Sequence, residues 1–413
     1  MIDGETAFSR MREAVDAARE EVLLETYILR DDQLGKEMRQ ALLNAAARGV
    51  RVAVLADAIG SMKTTDRFWH SLTRGGVNLR LFHKVWSHPL EALRRDHRKL
   101  LIIDRLTGFT GGMNIGEEYG TSIFRRRPPE QKDWRDAWRD SFIILHGTVV
   151  RELAAVFAEG WDKAGGPPLP GLEYVSWAAG SVSPPEGWKN GILSPRLWQA
   201  RWQRQIGLHY DRTRGRHVRP RIPQNQTPED TPGCVVLAPR PGRGQKETLT
   251  VLAALIGATR RRFWITTPYF APPTRALRYL AAAATRGVDV RLLLPGTLAD
   301  IPILRHAAHG AYSQLLAQGV RIFEYQKATL HAKTLVVDSH ASLLGSSNLD
   351  FRSFWLNAEC NVLVFDDQLG HDMDQAFLED LNGSNEITPE NWRKRTPAHK
   401  VLDKAARAVR WAL

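Results

Sequence analysis

The sequence predicts an α/β fold in which two similar domains share one chain. Three observations support this prediction: a motif that occurs twice, a strand–helix–strand pattern that recurs around each copy, and a length of 413 residues. A chain of this length usually divides into two or more domains, each large enough for its own core. The 43% share of hydrophobic residues is ordinary for a globular protein.

The repeated motif is His-x-Lys followed by Asp. Its residues are His97, Lys99 and Asp104 in the first half and His331, Lys333 and Asp338 in the second. An apolar run between Lys and Asp predicts a buried strand in each copy. A turn of small residues then ends at Asn114 or Asn348. The two histidines and the two asparagines are both 234 residues apart, so the copies align without a gap.

The elements before each motif also correspond. A helix over residues 5–20 precedes the strand Val22–Tyr27, as a helix over Leu249–Ala258 precedes the strand Phe263–Thr267. In both halves an Arg-Gly-Val sequence then leads into a second strand, and Gly-Val opens a third. The sequence therefore predicts two copies of one strand–helix–strand unit.

The predicted domain limits follow from these repeats. Residues 1–166 form the first domain and residues 242–385 the second. Between them, residues 167–241 are rich in Pro, Gly, Trp and Arg, which predicts a long connection with little regular structure that borders the site. Residues 386–413 are a basic tail with apolar residues at near-helical spacing, and we expect a helix that packs on its own domain or lies on a membrane surface.

The composition restricts the partners. A formal charge of +12 suits a polyanion, either nucleic acid or a membrane rich in anionic lipid. The two cysteines, Cys234 and Cys360, have no metal-ligand spacing, so neither a zinc site nor a disulfide framework is expected. No apolar run approaches the roughly 18 residues of a spanning helix, and the first residues lack the features of a signal peptide. We expect a soluble or peripherally bound protein.

Two histidines and two lysines that converge on one pocket suit substitution at a phosphodiester. One neutral histidine can attack phosphorus, and a second, protonated histidine can donate a proton to the leaving alkoxide. The lysines supply positive charge around the phosphoryl oxygens, so no metal or cofactor is required. The single residue between His and Lys places both side chains on one face of a strand.

Carboxylates accompany both motifs. Asp140 and Glu359 each precede a later apolar strand, and either could orient a histidine and raise its basicity. A solvated acid at a strand start is an equal alternative for Asp140, because other aspartates lie close by in the sequence. Asp104 and Asp338 complete the motif, but at the ends of strands they are expected to brace the fold more than to take part in the chemistry.

The pattern resembles the phospholipase D superfamily and, in more detail, the bacterial cardiolipin synthases. The resemblance rests on Glu25-Thr26-Tyr27-Ile28, Gly111–Gly116, Thr267-Pro268-Tyr269-Phe270, Leu330–Thr334 and Gly345–Ser353. It implies two α-β-α sandwich domains related by a pseudo-twofold axis, with the active site at their interface. By resemblance His97, Lys99, His331 and Lys333 are catalytic, and Asn114, Asn348 and Ser346 bind the substrate phosphate, with His97 as nucleophile. The chain is similar to the shorter synthases without membrane-spanning helices.

The resemblance also implies a function. It is phosphatidyl transfer from one phosphatidylglycerol to another with release of glycerol, at the inner membrane of a bacterium and from the cytoplasmic side. Basic segments at Arg125–Arg127 and Arg212–Arg221 and the C-terminal helix are the expected membrane contacts. The alternatives are hydrolysis of phospholipids to phosphatidic acid by the same residues and, less favoured, a nuclease; nucleic acid is not the expected partner. The sequence leaves the oligomeric state open.

Overall fold

The computed structural model describes residues 4–82, 94–120, 138–171, 209–211, 216–218, 233–241 and 244–409. Most of the predicted connection and the basic insert at Arg125–Arg127 lie outside these ranges. The described part of the chain forms two α/β halves, each with one sheet covered by helices on both faces. The predicted fold class is confirmed.

The first half is built around a six-stranded sheet in the order β3-β2-β1-β5-β6-β7. Its elements are α1 (Gly4–Ala17), β1 (Glu21–Thr26), α2 (Gln33–Ala47), β2 (Arg51–Asp57), α3 (Asp66–Arg74), β3 (Asn78–Phe82), β4 (Arg95–Asp96), β5 (Leu100–Ile103), β6 (Thr107–Gly111), β7 (Phe142–His146) and α4 (Thr148–Lys163). Strands β1, β2 and β3 are parallel, and β5 runs antiparallel beside β1. Helices α1 and α2 pack on one face of the sheet and α4 on the other.

A short hairpin of β8 (His209–Asp211) and β9 (Arg216–Val218) lies between the halves in sequence. The second half contains β10 (Cys234–Leu237), α5 (Gly244–Ala258), β11 (Arg262–Thr266), α6 (Thr274–Thr285), β12 (Asp289–Pro295), α7 (Pro302–Leu316), β13 (Arg321–Tyr325), β14 (Thr334–Val337), β15 (Ala341–Gly345), α8 (Phe351–Trp355), β16 (Asn357–Ala358), β17 (Asn361–Phe365), α9 (Asp367–Leu381), β18 (Ser384–Ile387), α10 (Pro389–Arg393) and α11 (Pro397–Val409). Its sheet has the order β10-β17-β15-β14-β11-β12-β13-β18.

The two sheets share a six-stranded core in the same order, so the internal repeat predicted from the sequence is confirmed. The second sheet adds one strand at each edge, and these additions correct the predicted domain limits. β10 falls within the segment 167–241 that was predicted to be irregular, yet it pairs with β17. β18 crosses the limit predicted at residue 386 and pairs with β13.

The halves share a hydrophobic cluster. It combines Leu23 and Leu55 of the first sheet and Phe157 of α4 with Val236 and Val362 of the second sheet. Because these side chains are buried from both sides, their removal from water stabilises the contact between the halves as well as each half.

The C-terminal tail packs on its own domain. Trp392 is buried against Tyr312 of α7, with ring centroids 4.8 Å apart. Asp403 of α11 accepts hydrogen bonds from the imidazoles of His306 and His309 on α7, at 2.9 and 2.8 Å. The tail therefore follows the first of the two predicted fates.

Candidate active site

The strand register brings both motifs to matching sheet edges. His97 and Lys99 precede β5, whose first residue lies beside Glu25 at the carboxyl end of β1. Thr334, which follows Lys333, lies beside Thr266 at the carboxyl end of β11 in the same way. Two short backbone contacts then join these edges across the halves, because β4 pairs with β16 and Arg139 bridges to Leu330. The motifs therefore meet at the interface between the halves.

Each half supplies the carboxylate that binds the histidine of the other half. Nδ1 of His97 lies 2.9 Å from Oε2 of Glu359, and Nδ1 of His331 lies 2.6 Å from Oδ2 of Asp140. All four side chains are buried. A carboxylate that accepts the Nδ1 proton fixes the tautomer and leaves the Nε2 lone pair available for chemistry. This pairing of each histidine with a carboxylate of the other half was not predicted, since the sequence does not show which acid lies beside which histidine.

Glu359 is held by several donors besides His97. Ser346 Oγ donates to Oε2 at 2.5 Å, Ser353 Oγ donates to Oε1 at 2.8 Å, and Asn357 Nδ2 lies 3.3 Å from Oε1. Burial opposes ionisation of Glu359, but the hydrogen bonds from His97 and Ser346 and the nearby charge of Lys99 together lower the pKa of this carboxyl group. Ser346 was expected to bind phosphate. Its hydroxyl donates to Glu359 in this structure, and its role in phosphate binding stays a prediction.

Asp140 is positioned differently. Its Oδ1 accepts the backbone N–H of Ser141 at 2.7 Å. The residue that corresponds to Ser346 in the first half is Gly112, and a Cβ atom there would lie only 2.1 Å from Asp140 Oδ1. The first half therefore needs glycine where the second half has a serine that donates to its carboxylate.

Burial opposes the positive charge of the basic groups in the site more strongly than the nearby carboxylates favour it. It lowers the pKa of His97 to about 4, although Glu359 opposes the shift, so this imidazole is neutral at physiological pH. Burial also lowers the pKa of Lys99 to about 7 and that of Lys333 to about 8. The pKa of His331 falls too, through burial and the nearby charge of Lys333. The negative charge of a phosphodiester beside these four groups would favour their protonated forms.

The arrangement matches known proteins along the whole chain. The family model described as "Cardiolipin synthase, PLD-like domain" matches residues 11–121 and 252–381. The chain belongs to this family. "Cardiolipin synthase A" of Pseudomonas fluorescens (strain SBW25) is 32% identical over 99% of this chain and 73% of its own length. "Cardiolipin synthase" of Halalkalibacterium halodurans is 29% identical over 99% of this chain and 71% of its own length.

A solved structure has the same fold. The phosphatidylserine synthase of Haemophilus influenzae Rd KW20 superposes with a TM-score of 0.67 at 15% identity, covering 100% of this chain and 94% of the other. At this identity the likeness concerns the fold alone. Among the residues that the structure describes, no helix is both long and apolar enough to cross a bilayer.

The motif aspartates of this PLD-like chain lie at the opposite ends of their strands from the histidines. Asp104 accepts the backbone N–H groups of three successive residues that lead into β1, at 2.8 to 3.0 Å, and Asp338 does the same for the residues that lead into β11. Both therefore brace the fold, and their inclusion with the catalytic residues of the motif is corrected. The physical reason is that β5 and β14 separate each Asp from its His by the full length of a strand.

The two asparagines are not equivalent. Asn114 accepts the N–H of Ile28 through Oδ1 at 3.1 Å and donates through Nδ2 to the hydroxyl of Tyr119 at 2.6 Å. Oδ1 of Asn348 is buried and has no hydrogen-bond partner within the described ranges. The amide of Asn348 thus has more capacity left for a ligand than that of Asn114. Their role in phosphate binding remains a prediction.

Aromatic side chains surround the histidines. The ring of Tyr27 lies 5.0 Å from that of His97, and the rings of Trp138, Tyr119 and Tyr269 lie 5.0, 5.5 and 6.4 Å from that of His331. None of these four aromatic residues was predicted to lie at the site. The position of Tyr27 and Tyr269 after corresponding first strands was the signal that could have identified two of them.

One group of side chains elsewhere could hold a metal ion. His306, His309 and Asp403 bring one ligand atom each within 4.8 Å of one another. The group joins α7 to α11 and contains no motif residue. Asp403 also accepts a hydrogen bond from Arg395 at 3.0 Å, so a cation already balances this carboxylate.

Proposed function

We propose that the chain transfers a phosphatidyl group between phospholipids, with phosphatidylglycerol as donor and acceptor and glycerol as the released product. One observation carries the proposal: a neutral, buried His97 has its Nδ1 bound to Glu359, which leaves the Nε2 lone pair available to attack phosphorus. Family membership supports the same conclusion, because the relatives at about 30% identity are named cardiolipin synthases.

The reaction then proceeds in two displacements. Nε2 of His97 attacks phosphorus, and the bond between phosphorus and the oxygen of the headgroup glycerol breaks. His331 donates a proton to that oxygen. His331 next takes the proton from a hydroxyl group of the acceptor lipid, whose oxygen attacks phosphorus and releases His97. Lys99 and Lys333 neutralise the phosphoryl oxygens in both steps, and the bound anion favours their protonated forms.

The proposed location is the cytoplasmic side of a bacterial inner membrane, with peripheral attachment. The excess of basic residues supports attraction to anionic lipid. Flotation with phosphatidylglycerol vesicles at low salt tests this attachment. We expect the protein to float with the vesicles, and protein left in the soluble fraction would contradict it.

The decisive test of function is the identity of the products. Purified protein is incubated with phosphatidylglycerol vesicles, and the lipids are resolved by mass spectrometry beside a His97→Ala control. Cardiolipin and free glycerol, absent in the control, are expected. Phosphatidic acid as the only product would show hydrolysis instead, and no lipid product would reject both activities.

A further inference from the structure

Two exposed apolar loop tips flank the candidate site, one from each half. Met62 lies in the loop after β2 and is 73% exposed, while Ile301 and Ile303 lie at the start of α7, after β12, and are 41% and 39% exposed. Pro302 between them is also exposed. We refer to Met62 and Ile301–Ile303 together as the apolar rim.

The strand order places the rim beside the catalytic histidines. β2 lies parallel to β1, and β12 lies parallel to β11, so their carboxyl ends share an edge with His97 and His331 respectively. In the first half a hydrogen bond links the end of β2 to the segment that carries His97. The carboxylate of Asp57 in β2 accepts the N–H of Asp96 at 3.1 Å.

In each half a tyrosine beside the histidine makes a hydrogen bond to the residue that precedes the rim, although the bonding atoms differ. In the first half His97 contacts the ring of Tyr27, whose backbone oxygen accepts the hydroxyl of Ser61, the residue before Met62. A Cβ atom at Gly60 would lie 2.0 Å from that oxygen, so glycine permits the close approach of the loop.

In the second half His331 lies near the ring of Tyr269, whose hydroxyl donates to Asp300, the residue before Ile301. The backbone N–H of Ile301 donates to the other oxygen of Asp300 at 2.9 Å. Both tips are therefore fixed to an aromatic residue of the site rather than to a distant surface.

The residue type at the second tip is unfavourable for local structure. Ile301 occupies the N-cap position of α7 and makes no side-chain cap hydrogen bond. Ser, Thr, Asp and Asn are preferred at this position because they satisfy the first N–H groups of a helix. An exposed isoleucine there breaks a local rule, and such exceptions concentrate at functional surfaces.

We propose that the apolar rim inserts into the headgroup region of an anionic phospholipid bilayer, so that the mouth of the site opens onto the membrane surface. The inference rests on the proposed function, since a lipid-transferring enzyme must receive its substrate from a bilayer. The net charge of +12 supports this partner over a protein, and exposed Lys63 beside Met62 supplies positive charge at one tip. Apolar tips beside basic residues are the composition of interfacial membrane contacts.

The test compares vesicle binding of full-length variants: Met62→Glu, the double variant Ile301→Glu/Ile303→Glu, and two controls. Leu106→Glu is the matched control, because Leu106 is 65% exposed at the opposite sheet edge, in the turn after β5. Val401→Glu/Leu402→Glu alters the exposed apolar residues of α11, at 70% and 47% exposure. Binding is measured by flotation with phosphatidylglycerol vesicles, and turnover is measured separately on short-chain phosphatidylglycerol below its critical micelle concentration.

We expect each rim variant to bind vesicles at least about 10-fold more weakly, as the loss of a buried apolar side chain and the repulsion of an added negative charge require. Turnover of the monomeric lipid should stay within about 2-fold, which also shows that the variant is folded. Leu106→Glu should bind as the unmodified protein does.

Unchanged vesicle binding by both rim variants would overturn the proposal, as would an equal loss in Leu106→Glu. Loss of binding only in Val401→Glu/Leu402→Glu would assign the membrane contact to α11 and likewise overturn it. Absence of turnover on any phosphatidylglycerol, with vesicle binding that still depends on the rim, would reject the proposed function and leave the membrane contact standing.

Discussion

The two histidines have identical motifs but different surroundings. The carboxylate partner of His97 accepts hydrogen bonds from two serine hydroxyls, whereas that of His331 accepts a backbone N–H and lies beside a lysine. Lys333 Nζ lies 2.9 Å from Nδ1 of His331. The assignment of His97 as nucleophile and His331 as the group that exchanges protons stays a prediction from the family resemblance.

Replacement of Glu359 by Gln tests the cross-domain carboxylate. Glutamine keeps the shape of the side chain but cannot balance the positive charge that develops on His97 during attack. We expect kcat to fall about 10⁴-fold with KM changed little, as for the loss of a histidine-orienting carboxylate in other enzymes. Initial rates on phosphatidylglycerol measure this.

Glu386→Gln provides a matched control. Glu386 is exposed on the edge strand β18 and pairs with Arg321 of β13. The rate of this variant should equal that of the unmodified protein. A loss below about 3-fold in Glu359→Gln would mean that the carboxylate is not used in the reaction.

The pKa values of the two lysines predict how kcat/KM changes on the alkaline side of the pH profile. Each must be protonated to bind a phosphodiester, and in the empty site the pKa of Lys99 is about 7 and that of Lys333 about 8. Because the positive charge is lost as pH rises through these values, kcat/KM should fall progressively above about pH 7. His97, with a pKa near 4, stays neutral throughout and adds no acid limb above about pH 5. A kcat/KM that rises between pH 7 and 9 would contradict this assignment.

At the residue scale, the motif histidines and lysines could be named from the sequence because their spacing repeats, and Asp140 and Glu359 because each precedes a later apolar strand. The pairing of acid with histidine could not, since it depends on how two sheets meet. The role of Ser346 was missed for the same reason: its acceptor, Glu359, is fixed by the return of β16 to the interface.

At the element scale, the final Asp of each motif is explained by a turn. Asp104 and Arg105 both have positive φ, at 51° and 56°, as do Asp338 and Ser339, at 52° and 58°. Two successive residues with positive φ are typical of the tight type I′ hairpin, and Asp tolerates this conformation better than most residues. The motif Asp thus closes a hairpin and anchors the start of the neighbouring strand.

Asp104→Ala should therefore affect stability rather than chemistry. It leaves three backbone N–H groups without their charged acceptor, and we expect the free energy of unfolding to fall by about 2 kcal/mol. Urea denaturation measures the change, with exposed Asp16→Ala in α1 as control. The rate per folded molecule should stay within about 3-fold, and a much larger loss in kcat would return Asp104 to the catalytic group.

The residue between His and Lys also differs between the halves. Arg98 is 1% exposed and lies 3.6 Å from both Glu25 and Glu159, whereas the second copy has Ala332. Burial and the nearby Asp96 raise the pKa of Glu25, so this cluster of acids depends on the Arg98 charge. A buried cluster of charged side chains is strongly destabilised when one of its members is removed.

We expect Arg98→Met to lower the free energy of unfolding by about 3 kcal/mol, because it leaves the buried carboxyl group of Glu25 without its cation, whereas Glu159 keeps Lys163 and Arg240. Arg10→Met is the control: Arg10 also pairs with a glutamate, but on the surface, where an ion pair contributes little. Equal effects of the two changes in thermal or urea unfolding would contradict the account.

At the scale of the whole molecule, the duplication explains why the fold was predictable. The order of strands and helices repeats along the chain, so one half predicts the other, and the helix α1 and strands β1 and β11 lie within a few residues of their predicted limits. The added edge strands β10 and β18 were not predicted. Neither has a counterpart among the described residues of the first half, and their pairing partners are far away in sequence.

The duplication also makes the site dependent on both halves. Each half alone has a histidine and a lysine but lacks the carboxylate that orients its own histidine. The shared hydrophobic cluster and the two short backbone contacts keep each carboxylate beside the histidine of the other half. The central claim is therefore that one site, not two, is formed, with His97 as its nucleophile.

The most direct test is to trap the covalent intermediate. A phosphatidyl p-nitrophenyl diester has a leaving group that needs no acid, so His331→Ala should complete the first displacement and stop before the second. Peptide mapping after rapid quenching should find the phosphatidyl group on His97, with about one group per chain. An adduct on another residue, or an undiminished adduct in His97→Ala, would contradict the account.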